Sequence, residues 1–158
     1  MNIKLIVVGK TNKSYFNEAE TEYLNRLKHY IKVNYITIPE LKKTKNLSLA
    51  QIQQKEGELI LKHLNPTDEV WLMDEKGKQK TSVQFSQFLQ KKMNQGIKDL
   101  VFIIGGAYGF SEEIYKKHPM KFSLSNMTFS HQMIRTFLLE QIYRGMTILK
   151  GQPYHNEG

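Results

Sequence analysis

Short apolar runs separated by segments of helical period constrain this chain more than any other feature. IKLIVVG (residues 3–9), VWLMD (70–74) and DLVFII (99–104) are each too short for a helix of ordinary length, and such continuous runs read as strands buried on both faces. Between the first two, Phe16, Ala19, Tyr23, Leu24 and Leu27 recur at three- and four-residue spacing, predicting an amphipathic helix from about Ser14 to Lys28. IKVNYITI then alternates Ile31, Val33 and Tyr35 with Lys32 and Asn34, the period of a strand with one polar face near a sheet edge, ended by Pro39. Ser48 with Gln51, and Thr81 with Gln84, have the spacing of capping boxes. They open one helix to about His63 and another that buries Phe85, Phe88 and Leu89 and stops at Gly96.

EKGKQK (75–80) reads as a turn. After the strand at 99–104 come a helical turn near Ser111 to Lys117, a brief strand KFSLS (121–125), and a long helix from about Ser130 to Lys150. Strand and helix alternate throughout, so the expected fold is α/β: one domain, 1–158, with a mostly parallel sheet and helices on both faces. Ligands of such sheets bind in loops at the carboxyl ends of the strands.

Several chemistries are excluded early. The chain has no cysteine, which removes disulfides, thiolate metal sites and cysteine nucleophiles together. The five histidines include no HxxxH pair, so no metal is expected, and there is no GxSxG elbow or close carboxylate pair. No apolar run approaches the roughly 20 residues of a membrane span, and the expected location is the cytoplasm. The net charge of +8, from 23 basic against 15 acidic residues, suits a polyanionic partner or else a solvated lysine surface. Of the three arginines, Arg135 and Arg144 share the C-terminal segment.

LVFIIGGAYGFS (100–111) leaves its strand through Gly105 and Gly106, with Gly109 following. The spacing matches neither GxGxxG nor GxxxxGK[ST], which weakens a phosphate cradle; alone, the pair reads as a turn. A second loop, SNMTFSHQ (125–132), also leaves a strand and enters a helix, and two such loops can meet over one pocket. Bare backbone at Gly106 facing Met127 and Phe129 suits an adenosyl group better than a pyrophosphate. Asp74 also ends a strand; a carboxylate meeting turn amides explains it as well as catalysis does. In the last helix Met133, Ile134, Phe137, Leu138, Ile142 and Leu149 share a face, while Thr136, Glu140 and Arg144 share another that Leu139 interrupts. Such a helix is expected to pack on its own sheet and on a partner subunit. The terminal YHNEG reads as a frayed tail, in which Tyr154 and His155 are unusual.

VVGK near the start, the Gly-Gly strand exit, SNMTFSHQMIR, LLEQIYRG and the terminal PYH together resemble, over the whole length, the RlmH-type large-subunit rRNA methyltransferases of the SPOUT (α/β-knot) superfamily. The resemblance implies a C-terminal trefoil knot, a homodimer, and S-adenosyl-L-methionine as cofactor. It implies methylation of N3 of a pseudouridine in 23S rRNA of the assembled ribosome. Carried over by position, the cofactor site comprises Met73, Gly106, Ser125, Asn126, Met127, Thr128, Phe129 and Ser130, with Ser130 standing where many relatives have proline. His155 is then the candidate base, Tyr154 a partner to the target base, and Arg144 an anion-stabilising or phosphate-binding group, with Arg135 a second RNA contact. A tRNA-modifying relative is the closest alternative, a non-enzymatic rRNA-binding factor another, and a small nicotinamide- or flavin-binding protein a third.

Overall fold

The computed structural model describes residues 1–156; the last two residues of the expected domain lie outside them. The elements run β1 (Asn2–Val8), α1 (Ser14–Leu27), β2 (Val33–Ile38), α2 (Leu49–Leu61), β3 (Glu69–Lys78), α3 (Ser82–Asn94), β4 (Asp99–Ile104), α4 (Glu112–Lys117), β5 (Lys121–Phe122) and α5 (Met133–Leu149). The strands form one sheet in the order β2-β1-β4-β3-β5, and each neighbouring pair is parallel.

The pleat explains why β1 and β4 are apolar without alternation. Leu100, Phe102 and Ile104 point to the side covered by α1, α3 and α5, where they meet Phe85, Phe122, Leu138 and Ile142. Val101 and Ile103 point to the other side and meet Ile60 of α2 and Ile114 of α4. Both faces are therefore dry, and each such side chain contributes about 1.5–3 kcal/mol by burial. β2 lies at the edge and is only half-buried, which accounts for its alternating polar residues.

Both capping boxes form: Ser48 and Thr81 accept from the amides of Gln51 and Gln84, whose side chains reach back to the cap amides. EKGKQK is the exception. Instead of turning, β3 continues to Lys78, which pairs with Phe122 after a register shift between Met73 and Lys78. Gly77 permits this: a Cβ there would fall 2.6 Å from the backbone N and C of Phe122. The glycine read as a turn signal instead lets two strands cross closely.

Candidate cofactor pocket and C-terminal cluster

At the carboxyl ends of β3, β4 and β5 lies a cavity of about 380 Å³. Its first wall is the end of β3 from Met73 to Lys76; its second is the glycine loop, through Gly105, Ala107, Gly109 and Phe110; its third is the segment from Phe122 to Phe129, closed by His131 and Ile134 at the start of α5. Gly109 has φ +76 and its amide donates to the Gly106 carbonyl at 3.2 Å, so the loop is a tight turn and a pocket wall at once. The third wall is folded on its own serines: Ser123 Oγ donates to the Ser125 carbonyl at 2.6 Å, and Ser125 Oγ accepts from the Met127 amide at 3.0 Å. Thr128 Oγ1 donates to Glu75 Oε2 at 2.5 Å, tying this wall to the first.

Asp74, at the pocket mouth, accepts from the Lys76 amide at 2.8 Å and from Tyr115 Oη at 2.6 Å. Burial pulls its pKa up, but these two bonds and the charges of Lys121 and Lys76 outweigh it and hold the carboxyl below its ordinary value. The same contact, after burial, raises the Tyr115 phenol. The pocket mouth thus carries an ionised carboxylate at neutral pH.

A second cluster forms at the far end of α5. Arg144 donates to Glu140 Oε1 through Nε at 3.0 Å and Nη2 at 2.6 Å, and its guanidinium lies 4.7 Å from the centroid of the Tyr154 ring. Tyr154 Oη donates to the same Glu140 oxygen at 3.1 Å and stands 3.3 Å from Tyr23 Oη. Arg144 Nη1 lies 3.3 Å from His155 Nδ1. The tail expected to fray is therefore docked on α1 and α5, and Arg144, Tyr154 and His155 come together. None of the three lines the cavity.

Residues 1–155 match the family described as "Predicted SPOUT methyltransferase". The chain belongs to the SPOUT methyltransferase family. It is 60% identical over 157 residues to "Ribosomal RNA large subunit methyltransferase H" of Parabacteroides distasonis, covering 99% of this chain and 100% of that one. Proteins of the same name from Flavobacterium johnsoniae and Bacteroides thetaiotaomicron are 57% and 52% identical, with the same coverage.

Among the residues that the SPOUT resemblance nominates for the cofactor, Met73, Ser125, Met127, Thr128 and Phe129 line the cavity; Gly106, Asn126 and Ser130 do not. The reason given for Gly106 is corrected by the side on which its missing side chain falls. A Cβ there would sit 2.9 Å from Glu56 Oε2, toward α2, whereas Gly105 and Gly109 line the cavity, a Cβ on Gly105 falling 3.2 Å from the Phe110 ring and one on Gly109 meeting nothing within 4 Å. Ser130 lies two residues before Gln132, the N-cap of the last helix, and its hydroxyl accepts from the amides of Gln132 and Met133 at 3.3 and 3.2 Å.

Arg135 is also corrected as an RNA contact. It is fully buried, and its fork is spent on the protein: Nε to the His131 carbonyl at 3.0 Å, Nη1 to the Gly9 carbonyl at 2.9 Å and Thr11 Oγ1 at 3.0 Å, Nη2 to the Val8 carbonyl at 2.7 Å. Such a guanidinium has no face left for phosphate. Sequence reasoning missed Tyr115, His131 and Ile134 as cavity residues; only the family motif around SHQMIR hinted at the last two. Among the described residues there is no group of three or more His, Cys, Asp or Glu able to hold a metal, and no helix is long and apolar enough to cross a membrane.

Proposed function

We propose that this protein is a cytoplasmic, homodimeric methyltransferase that uses S-adenosyl-L-methionine to methylate N3 of a pseudouridine in 23S rRNA of the assembled ribosome. The observation that carries the reading is the cavity at the strands' carboxyl ends, walled jointly by the glycine loop and by residues 122–129, in a chain of SPOUT family. The residues present suit an adenosyl sulfonium. A volume of about 380 Å³ lies within the range of small-ligand sites. Met73, Ile104 and Leu124 offer apolar contact to a planar ring, the bare backbone at Gly109 admits close approach, and the ionised Asp74 at the mouth suits a cation. When bound, that cofactor supplies an electrophilic methyl group on a positively charged sulfur.

The chain's own residues must then bring N3 into line with that methyl and accept its proton. Arginine only donates, so the Arg144 contact engages the Nδ1 lone pair of His155 and leaves the neutral ring's proton on Nε2. His155 serves as the base once a substrate carbonyl oxygen has drawn Arg144 toward itself. Arg144 then faces the oxygen on which the imide's negative charge gathers, and the proton passes from N3 to His155. Tyr154, held by Glu140, presents a ring for stacking against the target base.

One protomer does not bring these groups to its own cavity. Ile134 lines the cavity and Arg144 stands ten residues further along α5 (134 to 144), about 15 Å at the helical rise. A second copy supplying its tail closes this gap. The exposed Met127, Met133 and Phe137 beside the cavity offer it an apolar surface. In this reading the C-terminal segment is threaded as a trefoil knot, consistent with the ties of Gln132 to the Asn12 amide and of Arg135 to the end of β1.

The test is incubation of the purified protein with ribosomes lacking the modification and isotopically labelled S-adenosyl-L-methionine, followed by mass mapping of the 23S rRNA. The expected product is a single N3-methylated pseudouridine. Label appearing only in tRNA, or in no RNA while the cofactor binds, would overturn the reading. His155→Ala should lose about 10²–10⁴-fold in methyl transfer with cofactor binding unchanged.

A further inference from the structure

A second hollow, of about 590 Å³, runs between α1 and the outer side of the edge strand β2. Thr21, Leu24, Asn25 and Lys28 form one wall at helical spacing, and Val33 and Tyr35 of β2 form the other. His29, Tyr30, Ile31 and Lys32 cross its end. The interior is apolar and aromatic, from Leu24, Ile31, Val33, Tyr30 and Tyr35, and the rim is cationic. No carboxylate is among the lining residues.

The cations there are uncommitted to acids. Among the described residues neither Lys28 nor Lys32 has an ion pair; the Lys28 ammonium donates only to the neutral Asn25 side chain at 2.7 Å. The nearby Glu22 is already paired with Arg26. The hollow also adjoins the C-terminal cluster. Tyr30, on its lining, donates to Gln152, and Tyr23 of α1 lies in hydrogen-bond contact with Tyr154.

We propose that this groove is an auxiliary docking site for the RNA substrate, taking a single-stranded phosphodiester segment that flanks the nucleotide to be methylated. Lys28 and Lys32 meet phosphates, and Tyr30 and Tyr35 with the apolar floor receive a base, the pairing of cations and rings that single strands require. The proposal rests on RNA being the substrate. It favours RNA over a second protein strand on the β2 edge because Lys32, immediately before β2, sets a charge at the start of that edge, and charge there discourages strand addition.

The experiment compares the full-length wild type with the double reversal Lys28→Glu/Lys32→Glu and with a charge-matched control, Lys55→Glu/Lys62→Glu, on exposed positions of or just after α2. Affinity is measured for intact ribosomes and for a 12-mer oligouridylate across a salt series. The groove reversal should weaken both by tenfold or more and flatten the log–log salt slope by about one to two units; the control should not. Cofactor binding, thermal stability and oligomeric state should match the wild type. The proposal is overturned if the groove reversal binds both probes like the wild type, if the control loses as much, or if the reversal dissociates the dimer, which would make the groove a subunit interface. Failure of the methylation reading shows separately, as absence of methyl transfer by the wild type, while the oligouridylate comparison still decides the groove.

Discussion

Replacing Arg135 by methionine separates a structural arginine from an RNA-binding one. The substitution keeps length and apolar volume but strips four hydrogen bonds, leaving the Val8, Gly9 and His131 carbonyls without these donors. Each orphaned buried acceptor costs about 1–3 kcal/mol, and the loss reaches further. Thr11 donates to the buried Glu20, which also accepts from Tyr35, so removing Arg135 takes the nearest buried cation from that network. Against this, a buried guanidinium is itself expensive to desolvate, and its removal returns that penalty. The balance for breaking a buried charged network is about 3–5 kcal/mol, and at about 2–4 °C per kcal/mol for a domain of this size the midpoint should fall by about 6–20 °C. Thermal unfolding at pH 7 is the assay, with Arg135→Lys as companion. One ammonium cannot reproduce the planar fork, so the lysine variant should recover only part of the loss. A midpoint within about 2 °C of wild type for Arg135→Met, with weakened ribosome binding, would refute the structural assignment and restore Arg135 as an RNA contact.

Glu56 is buried with Oε2 lacking a hydrogen bond, and burial, then the charge of Glu40, raises its pKa above the ordinary 4.5. A raised carboxyl favours the protonated form in the folded state, so its contribution is present below the unfolded value and is lost as pH rises through the folded one. Glu56→Gln should therefore raise the melting midpoint at pH 7 and give no gain at pH 4; a pH-independent difference would contradict this. Gly106→Val should destabilise the fold by forcing Glu56 aside, and Glu56→Ala in the same chain should restore part of the midpoint; blocked cofactor binding at unchanged stability would be the opposing result. Burial, then the contacts with Tyr23 and Glu140, raise the Tyr154 phenol above 10, keeping it neutral until the pH passes the folded value. Glu140→Gln should bring that titration back toward 10, read as phenolate absorbance absent from a Tyr154→Phe control, and should slow methyl transfer by up to about 100-fold through lost positioning.

The layers of this fold were legible because its local signals agree with its tertiary demands. β1 and β4 are apolar on both faces since helices cover both, and the two capping boxes form as their spacing requires. Legibility failed where a residue's purpose depends on a distant segment. Gly77 looks like any turn glycine until β5 arrives against it, and the pair Gly105 and Gly106 cannot be divided into one facing Phe110 and one facing Glu56 without knowing which way the strand's pleat carries them. Arg135 is the clearest instance. An arginine on a basic protein's last helix reads as a phosphate ligand, and only the return of β1 to within hydrogen-bond reach of that helix consumes its donors.

The tail brings three nominated residues together without bringing them to the cavity. Arg144, Tyr154 and His155 are the residue types that imide deprotonation needs, and they are adjacent, but Glu140 holds two of them at once through a single oxygen. That carboxylate holds the Arg144 fork and the Tyr154 hydroxyl in place while the cavity stands about 15 Å away along the same helix. A cluster so well satisfied within its own chain has little reason to unfold toward its own pocket. On the proposed reading its geometry is useful only if delivered whole to another one, so a variant that is folded, binds cofactor and keeps the tail cluster but cannot dimerise should transfer no methyl group. Mixing a His155→Ala protomer with one that cannot bind cofactor is the decisive assay. One wild-type pocket then faces one wild-type tail, and activity should rise in the mixture well above that of either parent; a mixture no more active than its parents would mean that each tail serves its own pocket after all.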